Sequence, residues 1–131
     1  MQNILVIDDE KIVSDLLADA LTQLGYQVKT ACGGAEGLCL FETGFFDLVI
    51  TDIRMPGMDG HAVAQHIRNS DRPYTPIIGI SGTPWLFETG VFDGILCKPF
   101  PIMTLLDAMK NVMGEALPSP PDSYGKALPS H

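Results

Sequence analysis

Acidic residues follow two short apolar segments of the sequence. Residues 4–7 are all apolar and lead directly into Asp8 and Asp9, and residues 48–50 are followed, after Thr51, by Asp52. Carboxylates held within a few ångströms repel one another, so at least one would be protonated unless a cation neutralised them. The pattern predicts a divalent cation. Mg²⁺ is favoured because no His or Cys cluster lies nearby and because it combines one or two carboxylates with phosphate oxygens.

Two other polar residues end apolar segments later in the chain. Ser81 follows residues 77–80, and Lys98 follows residues 94–97. An aspartate can attack a phosphoryl group when a metal ion and a fixed cation stabilise the charge on the transferring oxygens. We therefore predict that Asp52 accepts a phosphoryl group, with Lys98 as the fixed cation and Ser81 as a hydroxyl donor to a phosphoryl oxygen.

Alternating strand and helix patterns must position these residues. Strands are predicted at residues 4–7, 26–31, 47–51, 77–80 and 94–97. Helices are predicted after the first strand, around residues 35–42, from a cap at Asp59 to about residue 69, and along residues 102–113. The stripe of the first helix that should face the sheet comprises Ile12, Val13, Leu16, Leu17, Ala20, Leu21 and Leu24.

This order of elements predicts an α/β fold. Strands joined by right-handed helical crossovers form a parallel sheet with helices on both faces, so we expect a flavodoxin-like, doubly wound, five-stranded sheet of order 2-1-3-4-5. The carboxyl ends of its strands share one edge, where the polar residues can meet. Only 16 residues separate Ser81 from Lys98, so the fourth helix should be short or irregular.

Composition narrows the class of protein further. The chain has 131 residues and a formal net charge of −8, which disfavours attraction to nucleic acid or to anionic membranes. We expect one compact domain over residues 1–114 and a flexible, Pro/Ser-rich tail over residues 115–131. No signal peptide or membrane span is predicted, and three cysteines inside apolar stretches predict buried thiols in a reducing, cytoplasmic setting.

Four motifs in order resemble a known family. ILVIDDE, DLVITDIRMPGMDG, GISG and CKPF together resemble the receiver domains of bacterial two-component response regulators, in particular single-domain chemotaxis-type receivers, over residues 2–114. The resemblance implies that Asp9 and Asp52 ligate Mg²⁺ directly, that the Arg54 backbone carbonyl is a third ligand, and that Asp8 acts through bound water. It also implies a cis peptide bond before Pro99.

The same resemblance implies partners. A histidine kinase or phosphotransfer protein would donate the phosphoryl group, and the chain would catalyse its own phosphorylation and dephosphorylation without being an enzyme in the ordinary sense. Output would pass through a downstream effector protein, through dimerisation or through competition for phosphoryl groups, with no direct contact to nucleic acid.

One position departs from the family. Receivers usually carry an aromatic residue three positions before the lysine, where this chain has Ile95. A β-branched aliphatic side chain cannot make the usual aromatic exchange between inward and outward positions. We hypothesise that phosphorylation instead reports through a rearranged segment 82–90 by way of Ser81 and Lys98, and that Trp85 fluorescence would sense it.

Two other functions are consistent with parts of this pattern. A degenerate receiver could act as a phosphorylation-independent binding module, which the short fourth segment and Ile95 would allow. A Mg²⁺-dependent phosphatase would also use an aspartyl nucleophile. Such a phosphatase would want a second acid two residues after Asp52, and Arg54 occupies that position.

Overall fold

The computed structural model describes residues 2–83 and 90–114, and in them strands alternate with helices. The elements are β1 (Asn3–Ile7), α1 (Lys11–Gln23), β2 (Gln27–Ala31), α2 (Gly34–Thr43), β3 (Leu48–Asp52), α3 (Gly60–Arg68), β4 (Ile77–Ser81), β5 (Gly94–Cys97) and α4 (Ile102–Met113). The predicted short fourth helix falls largely on residues 84–89, outside the described residues. None of the helices in the described ranges has the length and apolar character needed to cross a membrane.

The five strands form one parallel sheet in the order β2-β1-β3-β4-β5, which confirms the predicted architecture. The chain steps from β1 outwards to β2 and then returns to the other side of β1 to form β3. Strand order therefore reverses between β1 and β3. In open parallel sheets, ligands bind in the crevice beyond the carboxyl ends of the strands at this reversal, where Asp8 and Asp52 lie.

The three inner strands are apolar because both faces of the sheet are covered. Along β1, Ile4 and Val6 belong to the core beneath α1 and α4, whereas Leu5 and Ile7 belong to the core beneath α2 and α3. Side chains alternate between the two faces of a strand, so a strand buried on both sides must be apolar at consecutive positions. This is why runs of Ile, Leu and Val mark the inner strands in the sequence.

The predicted inward stripe of α1 is wrong at two positions. Leu17 and Leu21 are buried, but Ile12 is 77% exposed and Leu16 is 65% exposed. A helix lying on a sheet buries only one side, and a stripe drawn through seven residues was wider than that side. Ile12 and Leu16 lie one turn apart, so they form an exposed apolar pair close to the acidic loop that follows β1.

The prediction of buried thiols is also wrong. Cys32, Cys39 and Cys97 are all exposed and free. Cys32 directly follows β2, Cys97 ends the edge strand β5, and Cys39 lies on the solvent side of α2, whose Leu38 and Phe41 are buried instead. Apolar neighbours in sequence predict burial poorly at strand ends and on helices, because the next residue points elsewhere.

Arg68, at the end of α3, ties the loops that precede β4 and β5 to the fold. Its guanidinium donates to the carbonyl oxygens of Pro73 (2.8 Å), Thr75 (2.8 Å) and Val91 (3.0 Å). It also forms an ion pair with Asp93 at 2.7 Å, and the same Asp93 oxygen accepts the Ile77 N–H. One side chain thus satisfies three loop carbonyls and orients Asp93, the residue immediately before β5.

Replacing Arg68 by methionine should destabilise the protein by about 2–4 kcal/mol, because part-buried carbonyls lose their donor while the aliphatic packing is kept. Urea unfolding followed by circular dichroism measures this change. The control is Lys110→Met on the exposed side of α4, which should change the free energy of unfolding by less than about 0.5 kcal/mol. Equal effects of the two substitutions would contradict the assigned role of Arg68.

Candidate functional site

Asp8 and Asp52 come together at the carboxyl edge of the sheet, as the sequence predicted. β1 and β3 pair through Ile7 and Thr51, so the residues that follow these two lie side by side. Asp52 is the last residue of β3. The residue after it, Ile53, extends the pairing of β3 with β4, because its N–H donates to the Ile80 carbonyl. The Asp8 N–H donates to the Ala31 carbonyl of β2 in the same way. Backbone pairing therefore fixes the separation of the two carboxylates.

Lys98, which follows the edge strand β5, contacts the carboxylates of both Asp8 and Asp52. Its Nζ lies 3.2 Å from an Asp52 carboxylate oxygen and 3.7 Å from Asp8 Oδ2. The Lys98 N–H donates to the Ser81 carbonyl, which extends the pairing of β5 with β4 by one residue. The Lys98–Pro99 peptide bond is cis, as the resemblance implied. The lysine is thus held at its backbone, and its ammonium group faces the acids.

Asp8 is a buried carboxylate in which one oxygen lacks a hydrogen bond within the described part of the chain. Asp8 is 1% exposed, and its Oδ1 accepts a hydrogen bond from the Glu10 N–H at 2.8 Å. Its Oδ2 has no hydrogen-bond partner among the described residues. Burial raises the pKa of Asp8 to about 6, against the hydrogen bond from Glu10, and the nearby charge of Asp52 adds to the rise. A divalent cation bound beside this oxygen would favour the ionised carboxylate and lower the pKa of Asp8.

The pKa values of Asp52 and Lys98 respond to the same surroundings. Burial raises the pKa of the Asp52 carboxyl, although Lys98 and a hydrogen bond from the Arg54 backbone oppose the rise. For Lys98, burial favours the neutral amine, but the carboxylates of Asp52 and Asp8 outweigh it and raise the pKa. Lys98 is therefore positively charged at neutral pH and offsets the charge of the ionised carboxylates.

Glu10 is a member of this site that the sequence analysis missed. One carboxylate oxygen from each of Asp8, Glu10 and Asp52 lies within 4.8 Å of the others, a grouping that could hold a metal ion. The Glu10 carboxylate is also 3.4 Å from Lys98 Nζ. The sequence carried a signal, because Glu10 continues the acidic run after β1, but position in a run does not show which acids turn towards the strand end.

The other residues predicted from the sequence differ in how close they lie to this group. Asp9 is exposed and outside the group of three, yet its charge raises the pKa of both Asp8 and Asp52. Ser81 is buried at the end of β4, and its Oγ accepts the Thr83 N–H at 3.0 Å. Ile95 is half-buried and packs against the core beneath α2 and α3.

Gly60 allows α3 to begin directly against the strand that carries Asp52. The Gly60 N–H donates to the Ile53 carbonyl at 2.9 Å, and the Asp59 carboxylate caps α3 by accepting the Ala62 N–H, which confirms the predicted cap. A Cβ at position 60 would press against the Asp52 carbonyl oxygen and lie 2.8 Å from Ile53 Cα. Backbone cannot move aside as a flexible side chain can, so glycine is required here.

The raised pKa of Asp8 predicts how stability varies with pH. A free carboxyl has a pKa of 3.8 and Asp8 in the folded protein has one of about 6, so the folded state binds the proton more tightly. In metal-free buffer, the Asp8 contribution to the free energy of unfolding should therefore fall as pH rises from about 4 to about 6. The full difference corresponds to about 3 kcal/mol.

Asp8→Asn should remove most of this fall, because an amide does not ionise while its oxygen can still accept the Glu10 N–H. We expect the variant to be about 1–3 kcal/mol more stable than the wild type near neutral pH and of similar stability near pH 4. Urea unfolding with a chelator at the two pH values measures this. Asp107→Asn, on the exposed side of α4, is the matched control. An Asp8→Asn variant less stable than the wild type at neutral pH would contradict the assigned pKa shift.

Comparisons with known proteins agree with this geometry. Residues 4–110 match the model of the response regulator receiver domain family. A probable transcriptional regulator ycf27 of Cyanidium caldarium is 47% identical over 102 residues, covering 75% of this chain and 41% of that protein. The sensor histidine kinase RcsC of Salmonella typhi is 37% identical over 116 residues, covering 84% of this chain and 12% of the kinase.

A solved structure shows the same fold with its ligands bound. The response regulator TrrA of Thermotoga maritima, in complex with Mg²⁺-BeF, superposes with a TM-score of 0.78 at 35% identity, covering 86% of this chain and 99% of that one. The chain therefore belongs to the response regulator receiver domain family, whose members act in two-component phosphorelay signalling. It spans less than half the length of the two curated relatives above.

Proposed function

We propose that this chain accepts a phosphoryl group on Asp52 from the phosphohistidine of a histidine kinase or phosphotransfer protein, and signals through contacts with an effector protein. The observation that carries the proposal is the position of the Asp52 carboxylate. It lies at the end of β3, nearly buried, 3.2 Å from Lys98 Nζ and grouped with the carboxylates of Asp8 and Glu10.

The carboxylates fit a Mg²⁺ ion, the cation that the TrrA complex contains. The Oδ2 of buried Asp8, which accepts no hydrogen bond among the described residues, and the grouping of three carboxylates support an oxygen-ligated cation here. We propose Asp9, Asp52 and the Arg54 carbonyl as direct ligands, with Asp8 acting through water and Glu10 as a further carboxylate at the rim. When bound, Mg²⁺ would neutralise these acids and offset charge on the phosphoryl oxygens.

We propose the following transfer step. An Asp52 carboxylate oxygen attacks phosphorus, the new O–P bond forms as the P–N bond to histidine breaks, and the departing imidazole nitrogen keeps the electron pair and takes a proton. In this step Lys98 Nζ would offset charge on one phosphoryl oxygen, and the Ser81 hydroxyl would donate a hydrogen bond to another. Hydrolysis of the acyl phosphate by water would return Asp52 and inorganic phosphate.

The described surface also bears on the partner and the setting. The exposed pair Ile12 and Leu16 lies on the first turns of α1, immediately after the acidic loop, and is the proposed contact for the donor protein. Three exposed free thiols are what a reducing compartment preserves, which supports a cytoplasmic setting.

Intact-mass measurement after incubation with phosphoramidate tests this function. With Mg²⁺ present we expect the addition of one phosphoryl group, which a chelator prevents and hydroxylamine removes, as it does for an acyl phosphate. A phosphorylated serine or threonine would survive hydroxylamine. If Mg²⁺ and the donor add no hydroxylamine-sensitive phosphoryl group, the chain is a phosphorylation-independent binding module instead.

A further inference from the structure

A cleft opens at the edge of the sheet where the strands begin, opposite the edge that carries Asp52. Its cavity volume is about 670 Å³, within the range of small-ligand and peptide pockets. The starts of β1 and β2 and the ends of α1 and α2 form its walls. Its apolar lining includes Tyr26, Val28, Leu40, Phe45 and Phe46.

One aromatic residue that lines this cleft is exposed on a loop that Arg72 holds in place. Phe45 is 64% exposed, in the loop between α2 and β3. Arg72 fixes this loop, because its guanidinium donates to the Gly44 carbonyl at 2.6 Å and to the Phe41 carbonyl, and lies 4.4 Å from the centre of the Phe41 ring. Phe45 therefore adds exposed apolar surface to the rim of the cleft at a fixed position.

The chain beyond α4 starts from this same edge. α4 ends at Met113, with Gly114 as its C-cap, and the side chain of Val112 lies against Gly94, the first residue of β5. Seventeen residues follow Gly114 in the sequence given. They contain the tetrapeptide Ala-Leu-Pro-Ser twice, at residues 116–119 and 127–130, within a stretch rich in proline.

Only the second copy of this tetrapeptide can reach the whole cleft. Four strand spacings separate β5 from β2, or about 19 Å. Even a fully extended polyproline segment advances only about 3.1 Å per residue, so three residues after Gly114 limit Leu117 to at most about 9 Å. The same limit for Leu128, fourteen residues after Gly114, is about 43 Å. The two copies therefore differ in reach although their side chains are the same.

We propose that residues 127–130 of this chain bind the cleft, with Leu128 and Pro129 packed against Phe45 and Val28. Extended proline-containing segments are suited to grooves lined by aromatic side chains, because proline lowers the conformational entropy lost on binding. The tether raises the effective concentration of the segment at the cleft. This interaction leaves the edge of the sheet that carries Asp52 accessible, and it does not depend on the proposed phosphorylation.

NMR of the full chain with labelled leucine methyl groups tests the proposal. We expect the Leu128 methyl resonances to be shifted upfield by the Phe45 ring and to show NOEs to it, whereas the Leu117 methyls should resemble those of a free peptide. Phe45→Ser should abolish both the shift and the NOEs. Tyr74→Ser is the matched control, because Tyr74 is 93% exposed and does not line the cleft, so the Leu128 signals should not change.

Three results would overturn the proposal. Leu128 methyls at free-peptide positions in the wild type would show that the segment does not bind. NOEs that weaken on dilution would show that a second copy of the chain supplies the segment. A Leu128 shift that survives Phe45→Ser would place the segment elsewhere.

Discussion

Asp52→Asn is expected to reduce Mg²⁺-dependent phosphoryl incorporation to background, a loss of roughly 10³-fold or more, because an amide supplies no carboxylate oxygen to attack phosphorus. The substitution is nearly isosteric and should leave the fold intact. Lys98 keeps Asp8 and Glu10 as partners, at 3.7 Å and 3.4 Å. Removing a carboxylate whose pKa is raised by burial should also stabilise the metal-free protein at neutral pH.

The measurement is the initial rate of phosphoryl incorporation from phosphoramidate, with circular dichroism to verify the fold. Asp107→Asn removes an exposed carboxylate of α4 and should keep the wild-type rate. A folded Asp52→Asn protein labelled at the wild-type rate would show that another residue accepts the phosphoryl group.

Gly60→Ala is expected to destabilise the protein by about 3 kcal/mol or more, and to lower the labelling rate of the fraction that folds. The added methyl group would meet the Asp52 carbonyl oxygen and Ile53 Cα, both of them backbone atoms. Alanine at the start of α3 would gain up to about 1 kcal/mol in helix propensity, which opposes the clash but is smaller than it. Relief requires α3 to move away from β3, which would shift Asp52 relative to Lys98.

Thermal and urea unfolding measure the first effect, and phosphoramidate labelling of the folded protein measures the second. Gly90→Ala is the matched control. No atom of the described residues lies within 4 Å of a Cβ added at Gly90, and the φ angle of Gly90 is not positive. Gly60→Ala with wild-type stability would contradict the close packing of α3 against β3.

The sequence predicted the sheet because its inner strands are buried on both faces. Consecutive apolar residues in a short segment, such as those of β1 and β3, are typical of a strand covered on both sides, and polar residues at the strand ends mark the carboxyl edge. The strand order was predicted from the flavodoxin-like arrangement, because the handedness of the crossovers fixes only the placement of the helices on the two faces. Asp8, Asp52, Ser81 and Lys98 could therefore be assigned to one edge from the sequence alone.

The errors have a common physical cause, which is that burial on a helix or at a strand end depends on tertiary direction. Ile12 and Leu16 fit a helical period but lie beside the buried side of α1. Cys39 has apolar neighbours and still faces solvent. Glu10 was missed because its approach to Lys98 depends on how the chain turns into α1. Sequence periodicity predicts which residues lie on the same side of a helix. Which side is buried depends on how the helix packs against the sheet.

Borohydride trapping tests the central claim most directly. The wild-type protein is phosphorylated with phosphoramidate and Mg²⁺, reduced with borohydride, which converts an aspartyl phosphate to homoserine, and then digested for tandem mass spectrometry. We predict homoserine at position 52 and unmodified Asp8, Asp9 and Asp59 in the same sample. Homoserine at another of these positions, with Asp52 intact, would contradict the account.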